Sequence, residues 1–186
     1  ECSFVFTDLA NFTTTVESLD PEVLRTLMSE YIDGMEQIVF EHDGTLDKVI
    51  GDALCIFFSA PIVQADHAQR AVDCALKLDA WSRDYVSRMN EKGILIGKTR
   101  IGVNSGEVVV GNFGGSTMFD YTAYGDAVNT TARPESINKQ LGTNICVSSK
   151  TIEQCKIFVG RPVGNLVLKG KSEKTEAYQP LSEMEL

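Results

Sequence analysis

Asp8 closes an apolar run that begins at Cys2, and Asp52 stands between two more, Leu46 to Ile50 and Ala53 to Phe58. A carboxylate at a strand end is an ordinary turn or cap residue. Two on neighbouring strands of one sheet are also hard oxygen donors, suited to a divalent cation such as Mg²⁺ that keeps positions open for a polyphosphate. Leu9-Ala10-Asn11-Phe12-Thr13-Thr14 follows Asp8 and reads as a strand-to-helix junction. The free backbone N–H groups of such a junction favour phosphate oxygens. Further chemistry-bearing residues are Lys48, four before Asp52, and Arg100, which opens the run Arg100 to Gly111. Thr122, Asn129 and Arg133 fall in the run Asp120 to Arg133, and Lys169 and Lys171 in Leu168-Lys169-Gly170-Lys171. Asn129 and Arg133 are four apart, so a helix puts them on one face.

The elements that must position these groups follow from the hydrophobic pattern. Cys2 to Asp8 reads as a buried strand. Asp20-Pro21 opens a helix, with Asp as N-cap and Pro at the first helical position. Its apolar stripe, from Val23 through Leu27, Tyr31 and Met35 to Val39, has helical period and stops at Asp43-Gly44. Gly51-Asp52 forms the tip of a hairpin. A second long helix is expected from about Val63 to Asn90. Thr99 to Asn104 and Glu107 to Asn112 are expected as a hairpin around Ser105-Gly106. Then come a strand at Met118 to Tyr124, a helix from Asp126 to about Lys139, and a strand at Ile145 to Val147. A short helix at Ser148 to Cys155 and strands at Val163 to Lys169 and Thr175 to Gln179 complete the order. This order predicts an α+β fold: a mixed, mainly antiparallel sheet with helices packed on one face, a ferredoxin-like βαββαβ core and a C-terminal extension.

The composition excludes several classes. The chain has 186 residues, 43% hydrophobic and 23% charged, with a formal net charge of −9. That is a globular composition. An acidic chain is a poor binder of nucleic acid, which needs clustered Lys and Arg, so no nucleic-acid partner is expected. No apolar run is long enough to span a membrane. The five cysteines form no CxxC pair and read as small buried hydrophobes of a reducing compartment. His42 and His67 have no second ligand at metal spacing, which argues against zinc. With no repeat, linker or low-complexity stretch, residues 1–186 read as one domain. A chain that begins inside a strand-like run is expected to be a domain cut from a larger protein.

Taken together and in order, these motifs resemble the catalytic domain of the class III nucleotidyl cyclases, the adenylate and guanylate cyclases, from Phe4 to about Tyr178. The resemblance implies that Asp8, Asp52 and the Leu9 carbonyl hold two divalent ions, Mg²⁺ or Mn²⁺. It also implies that the N–H groups of Phe12 and Thr13 hold phosphate oxygens. Arg100 and Lys169, with Lys171 as the neighbouring alternative, hold the triphosphate. Asn129 positions the ribose, and Arg133 stabilises charge on the transferring phosphate. Lys48 matches the lysine that family adenylate cyclases place against adenine N1. Thr122 fills the second purine position, as in a Thr-bearing, bicarbonate-responsive branch. The implied reaction makes cyclic AMP and pyrophosphate from ATP, with guanylate cyclase and a regulatory pseudo-cyclase as the alternatives.

In this family the site lies between two catalytic domains, so a homodimer is implied, with Asp8, Asp52 and Arg100 from one chain and Lys48, Thr122, Asn129, Arg133 and Lys169 from the other. Bicarbonate as an activator, a regulatory domain elsewhere in the parent protein and a cytoplasmic setting, with or without a membrane anchor on the parent, complete the expectations. Pro134 departs from the family pattern. In a helix interior proline costs roughly 3 kcal/mol, which puts the aim of Arg133 in question.

Overall fold

A computed structural model describes residues 1–131, 134–167 and 174–182, without side chains at 134–137, 166–167 and 174. The first half of the chain runs β1 (Cys2–Leu9), α1 (Phe12–Ser18), α2 (Pro21–Glu41), β2 (Thr45–Ile50), β3 (Ala53–Phe58), α3 (His67–Glu91) and β4 (Thr99–Gly106). The second half runs β5 (Val109–Gly114), β6 (Phe119–Tyr124), α4 (Asp126–Thr131), α5 (Pro134–Leu141), β7 (Ile145–Ser148), α6 (Ser149–Ile152), β8 (Gly160–Val167) and β9 (Lys174–Pro180). A seven-stranded sheet has the order β2-β3-β1-β4-β7-β9-β8, and β5 and β6 form a separate ribbon. The β2-β3-β1-β4 part is the expected ferredoxin-like core. Among the described strands only β4 and β7 pair in parallel.

The long helices form where the sequence periodicity places them. Asp20 caps α2, its carboxylate accepting the Glu22 N–H at 2.9 Å. The apolar stripe of α2 buries Leu27, Tyr31, Met35, Ile38 and Val39 against the sheet and against α3. Trp81 and Tyr85 stack at 5.1 Å within that layer. α3 starts four residues later than expected, because the chain from Ser59 first makes a loop with a cis Ala60-Pro61 bond. Strand alternation sends Val5, Ile56 and Phe58 to the helix layer, and Phe4 and Phe57 to the other face. There they meet Ala123 of β6 and Ala127 of α4. Both faces of the sheet are therefore covered in part, rather than one.

The expected β4–β5 hairpin does not form. β4 continues as a strand through Ser105 and Gly106, which pair with Ser3 and Cys2 of β1. The Ser105 hydroxyl is buried, 2.6 Å from Ser3 Oγ, and it donates to Thr151 Oγ1 at 3.0 Å. These partners hold Ser105 in the sheet and leave β5 to pair with β6. The helix expected from Asp126 to about Lys139 is described as α4 and α5, and residues 132–133 between them lie outside the described residues. Pro134 is the first residue of α5, and Arg133 lies outside the described residues. α6 is shorter than expected, and β8 begins three residues earlier than expected, at Gly160. The last residues of the predicted Val163 to Lys169 strand lie outside the described residues. No helix among the described residues is long and apolar enough to cross a membrane.

Candidate active site

The two carboxylates come together through backbone pairing. Asp8 is the next-to-last residue of β1, and Asp52 sits in the turn between β2 and β3, where Ile50 pairs with Ala53. Gly51 has φ +63°, which suits the first central residue of so tight a hairpin and leaves Asp52 at its tip. Asp52 Oδ2 accepts the Leu9 N–H at 2.6 Å, so its carboxylate lies beside the residue that follows Asp8. Below them Tyr31 is fully buried, its hydroxyl 3.0 Å from Thr99 Oγ1. Burial raises the pKa of that hydroxyl, and the negative charges of Asp52 and Asp8 raise it further, so one phenol senses both carboxylates.

Asp8 pairs directly across the sheet with Arg100, whose residue is only 5% exposed. Opposite charges at facing positions favour each other. The donor set fits a divalent cation. It offers hard oxygens, and among the described residues no group of three or more His, Cys, Asp or Glu surrounds a single point. Mg²⁺ suits such sparse sites, taking one or two carboxylates and completing its shell with water and substrate phosphates.

The phosphate-loop candidates lie beside this pair. Asn11 takes the left-handed conformation at φ 59° and turns the chain into α1. The first backbone bond back into that turn is the Thr15 N–H to the Asn11 carbonyl, 3.2 Å. Phe12 and Thr13 precede it, at the helix start where N–H groups lack intrahelical acceptors. Gly97 packs against this segment so closely that any Cβ there would overlap the Ala10 carbonyl.

A second cluster lines a groove of about 290 Å³ on the sheet face covered by β6 and α4. Lys48, Thr122 and Asn129 all border it, as do Asp47, Cys55 and Phe57. Thr122 is buried and donates its hydroxyl proton to Asp47 Oδ2 at 3.1 Å, and Lys48 Nζ lies 3.8 Å from Asp47 Oδ1. Burial, with the Asp47 charge adding to it, pushes the Cys55 thiol up to about 11 and keeps it neutral. α4, which carries Asn129, is tied down by Asn104. The Asn104 amide donates to the Ala127 carbonyl at 3.1 Å, and its oxygen accepts from Ser148 Oγ at 2.7 Å. Asn104→Ala is expected to lower stability by about 1–3 kcal/mol, because it strands buried polar partners; chemical denaturation measures it.

The groove's lining includes neither the carboxylate pair nor Arg100. The chain thus carries a carboxylate end that suits cations and phosphates, and a groove with an ammonium, a hydroxyl and an amide on its walls. The model of the adenylate and guanylate cyclase catalytic domain matches residues 1–180. The chain belongs to that family.

Among curated relatives, this cyclase domain is 36% identical over 180 residues to Adenylate cyclase 1 of Rhizobium meliloti, covering 96% of this chain and 27% of that protein. It is 29% identical over 189 residues to an adenylate cyclase of Anabaena cylindrica, covering 95% of this chain and 36% of the relative. The chain therefore spans about a quarter to a third of the length of these relatives. Among solved structures, the adenylyl cyclase CyaB from P. aeruginosa superposes with a TM-score of 0.89 at 30% identity, over 100% of this chain and 96% of that one. The guanylyl cyclase Cya2 superposes at 0.85 and 32% identity, over 96% and 90%. The mixed α+β architecture of the cyclase domain is thus the family's own.

Asp8, Leu9, Asp52 and Arg100 stand at one end, with Phe12 and Thr13 close by in sequence, and Lys48, Thr122 and Asn129 share the groove. Arg133, Lys169 and Lys171 lie outside the described residues. Asp47 escaped the sequence reading. It falls inside the run Leu46 to Ile50, and its place in the groove shows only once β2 is paired with β3.

Proposed function

We propose that this cyclase domain converts ATP to 3′,5′-cyclic AMP and pyrophosphate, at a site built by two copies of the chain. The observation that supports this best is the grouping of Lys48, Thr122 and Asn129 around one groove, apart from Asp8, Asp52 and Arg100. Two copies related by a two-fold axis would bring each groove to the other chain's carboxylates, making two equivalent sites. Val109, Met118, Phe119 and Tyr124 of the β5–β6 ribbon and its turn are exposed, and a second copy is a suitable cover for such a patch.

Asp8, Asp52 and the Leu9 carbonyl would hold two divalent cations, Mg²⁺ or Mn²⁺, whose chemistry when bound is to acidify the ribose 3′-hydroxyl and offset phosphate charge. The N–H groups of Phe12 and Thr13 hold phosphate oxygens. Arg100 and Lys169, with Lys171 as the alternative, neutralise the triphosphate. On the partner chain's side of the site, Asn129 orients the ribose, and Arg133 stabilises the charge that builds on the α-phosphate. Lys48 donates to adenine N1, and Thr122 accepts from the 6-amino group. The 3′-oxygen attacks the α-phosphorus in line and pyrophosphate leaves. Residues 1–186 act as one catalytic domain in this reading.

The test measures product from ATP and from GTP, with Mg²⁺ and separately Mn²⁺, over a range of protein concentration. Cyclic AMP with a specific activity that rises with concentration is the expected result. The match to a guanylyl cyclase structure keeps GTP as the second reading. Cyclic GMP as the main product would reverse the roles given to Lys48 and Thr122. No product from a folded dimer would leave a regulatory pseudo-cyclase. Bicarbonate belongs in the same assay as a candidate activator. Lys48→Glu should lower kcat/KM for ATP about tenfold or more, because a donor to adenine N1 becomes an acceptor. Unchanged ATP kinetics would remove Lys48 from purine recognition.

A further inference from the structure

Leu46 of β2 pairs with Ile56 of β3, and Lys48 pairs with Cys55. Asp47 is therefore the extra residue of a β-bulge. In a regular strand consecutive side chains point to opposite faces. Here Asp47 and Lys48 both line the groove, which is what a bulge allows by re-aiming one of them. The Asp47 side chain is only 9% exposed. Its Oδ2 takes the Thr122 hydroxyl proton at 3.1 Å, its Oδ1 lies 3.8 Å from Lys48 Nζ, and that Oδ1 accepts no hydrogen bond among the described residues.

A free threonine hydroxyl does not choose between purines. It has one proton to donate and two lone pairs to accept with, so it suits the 6-oxo group of guanine as well as the 6-amino group of adenine. Asp47 removes that ambiguity. A carboxylate only accepts, so the Thr122 proton is committed to it and the lone pairs are left for the groove. A 6-amino donor then finds an acceptor, whereas a 6-oxo group meets lone pair against lone pair. The same carboxylate stands beside the Lys48 ammonium, whose protons match adenine N1 and oppose the N1–H of guanine.

We infer that Asp47 is the positioning residue that sets purine choice, by holding Thr122 as an acceptor and Lys48 beside it. This rests on the ATP-cyclising reading given above and assigns its specificity to a residue outside the direct purine contacts. Specificity of this kind comes as much from the unpaired group forced on the wrong substrate as from the bond made to the right one.

The test compares steady-state kinetics of the wild type, Asp47→Ala, Asp47→Asn, Thr122→Val and the Asp47→Ala/Thr122→Val double variant. Each is assayed with ATP, GTP and purine riboside triphosphate, which lacks a 6-substituent, and folding is checked by thermal unfolding. The expected result is a fall of about tenfold in the ATP-to-GTP ratio of kcat/KM for Asp47→Ala, one net hydrogen bond's worth. Asp47→Asn falls between, because its amide either accepts from the hydroxyl or donates to it, and it carries the test if the alanine variant does not fold. The loss on ATP should exceed the loss on purine riboside triphosphate, and Asp47→Ala should add little to the ratio change already caused by Thr122→Val. Equal losses on ATP and on purine riboside triphosphate, or an unchanged ratio in the folded variants, overturn the inference while leaving the ATP-cyclising reading intact. A wild type that turns over neither nucleotide, or prefers GTP, overturns that reading and this inference with it.

Discussion

Asp8→Ala and Asp52→Ala should each abolish cyclic nucleotide formation, with turnover falling by about three orders of magnitude or more. The size follows from what a cation held by these groups contributes. Stabilising charge at a transferring phosphate is worth several kcal/mol, and each 1.36 kcal/mol is tenfold in rate. Asp52→Ala should also lose stability. Asp52 Oδ2 accepts the Leu9 N–H at 2.6 Å, so Asp52→Ala strands a backbone donor at about 1–3 kcal/mol. Asp52→Asn keeps an acceptor of the same shape and should restore most of that stability without restoring turnover, because it lacks the charge. Cyclic nucleotide assays beside thermal unfolding read the two effects separately. A folded Asp8→Ala or Asp52→Asn chain within tenfold of wild-type turnover would remove the carboxylate pair from the chemistry.

The second large effect is complementation. Asp8→Ala and Asn129→Ala chains should each be inactive alone, since each spoils both sites of a homodimer. Mixed in equal numbers and allowed to exchange, half the dimers pair one chain of each kind. Such a dimer has one site with both defects and one with neither. Random pairing then restores about a quarter of the wild-type activity. The physical basis is the proposed sharing of each site between two chains, with Asn129 bordering the groove, whose lining does not include Asp8 or Asp52. No recovery, with exchange demonstrated by a tag or a mass difference, would place the whole site within one chain.

Much of this protein was legible before folding because local chemistry is enough to fix it. The helical stripe from Leu27 to Val39 has a period that only one face of a helix satisfies, and α2 buries that face. Gly51-Asp52 between two apolar runs could hardly be anything but a tight turn, and the structure puts Asp52 at its tip. Asp8, Asp52, Lys48, Thr122 and Asn129 were visible as residue types at telling positions.

Tertiary structure decided what depends on distant partners. Ser105-Gly106 has the composition of a turn, yet Ser3 of β1 and Thr151 of α6 hold Ser105 in a strand, so β5 pairs with β6. The burial of Arg100 beside Asp8 follows from the register of β1 on β4, which neither strand encodes by itself. The shared placement of Asp47 and Lys48 in the groove depends on one unmatched residue in the pairing of β2 with β3, which the sequence of β2 does not show by itself. Periodicity reports which face of an element is apolar. Which element meets it, and in what register, is settled only when the chain closes on itself, and the groove that joins Asp47, Lys48 and Thr122 is a product of that closure.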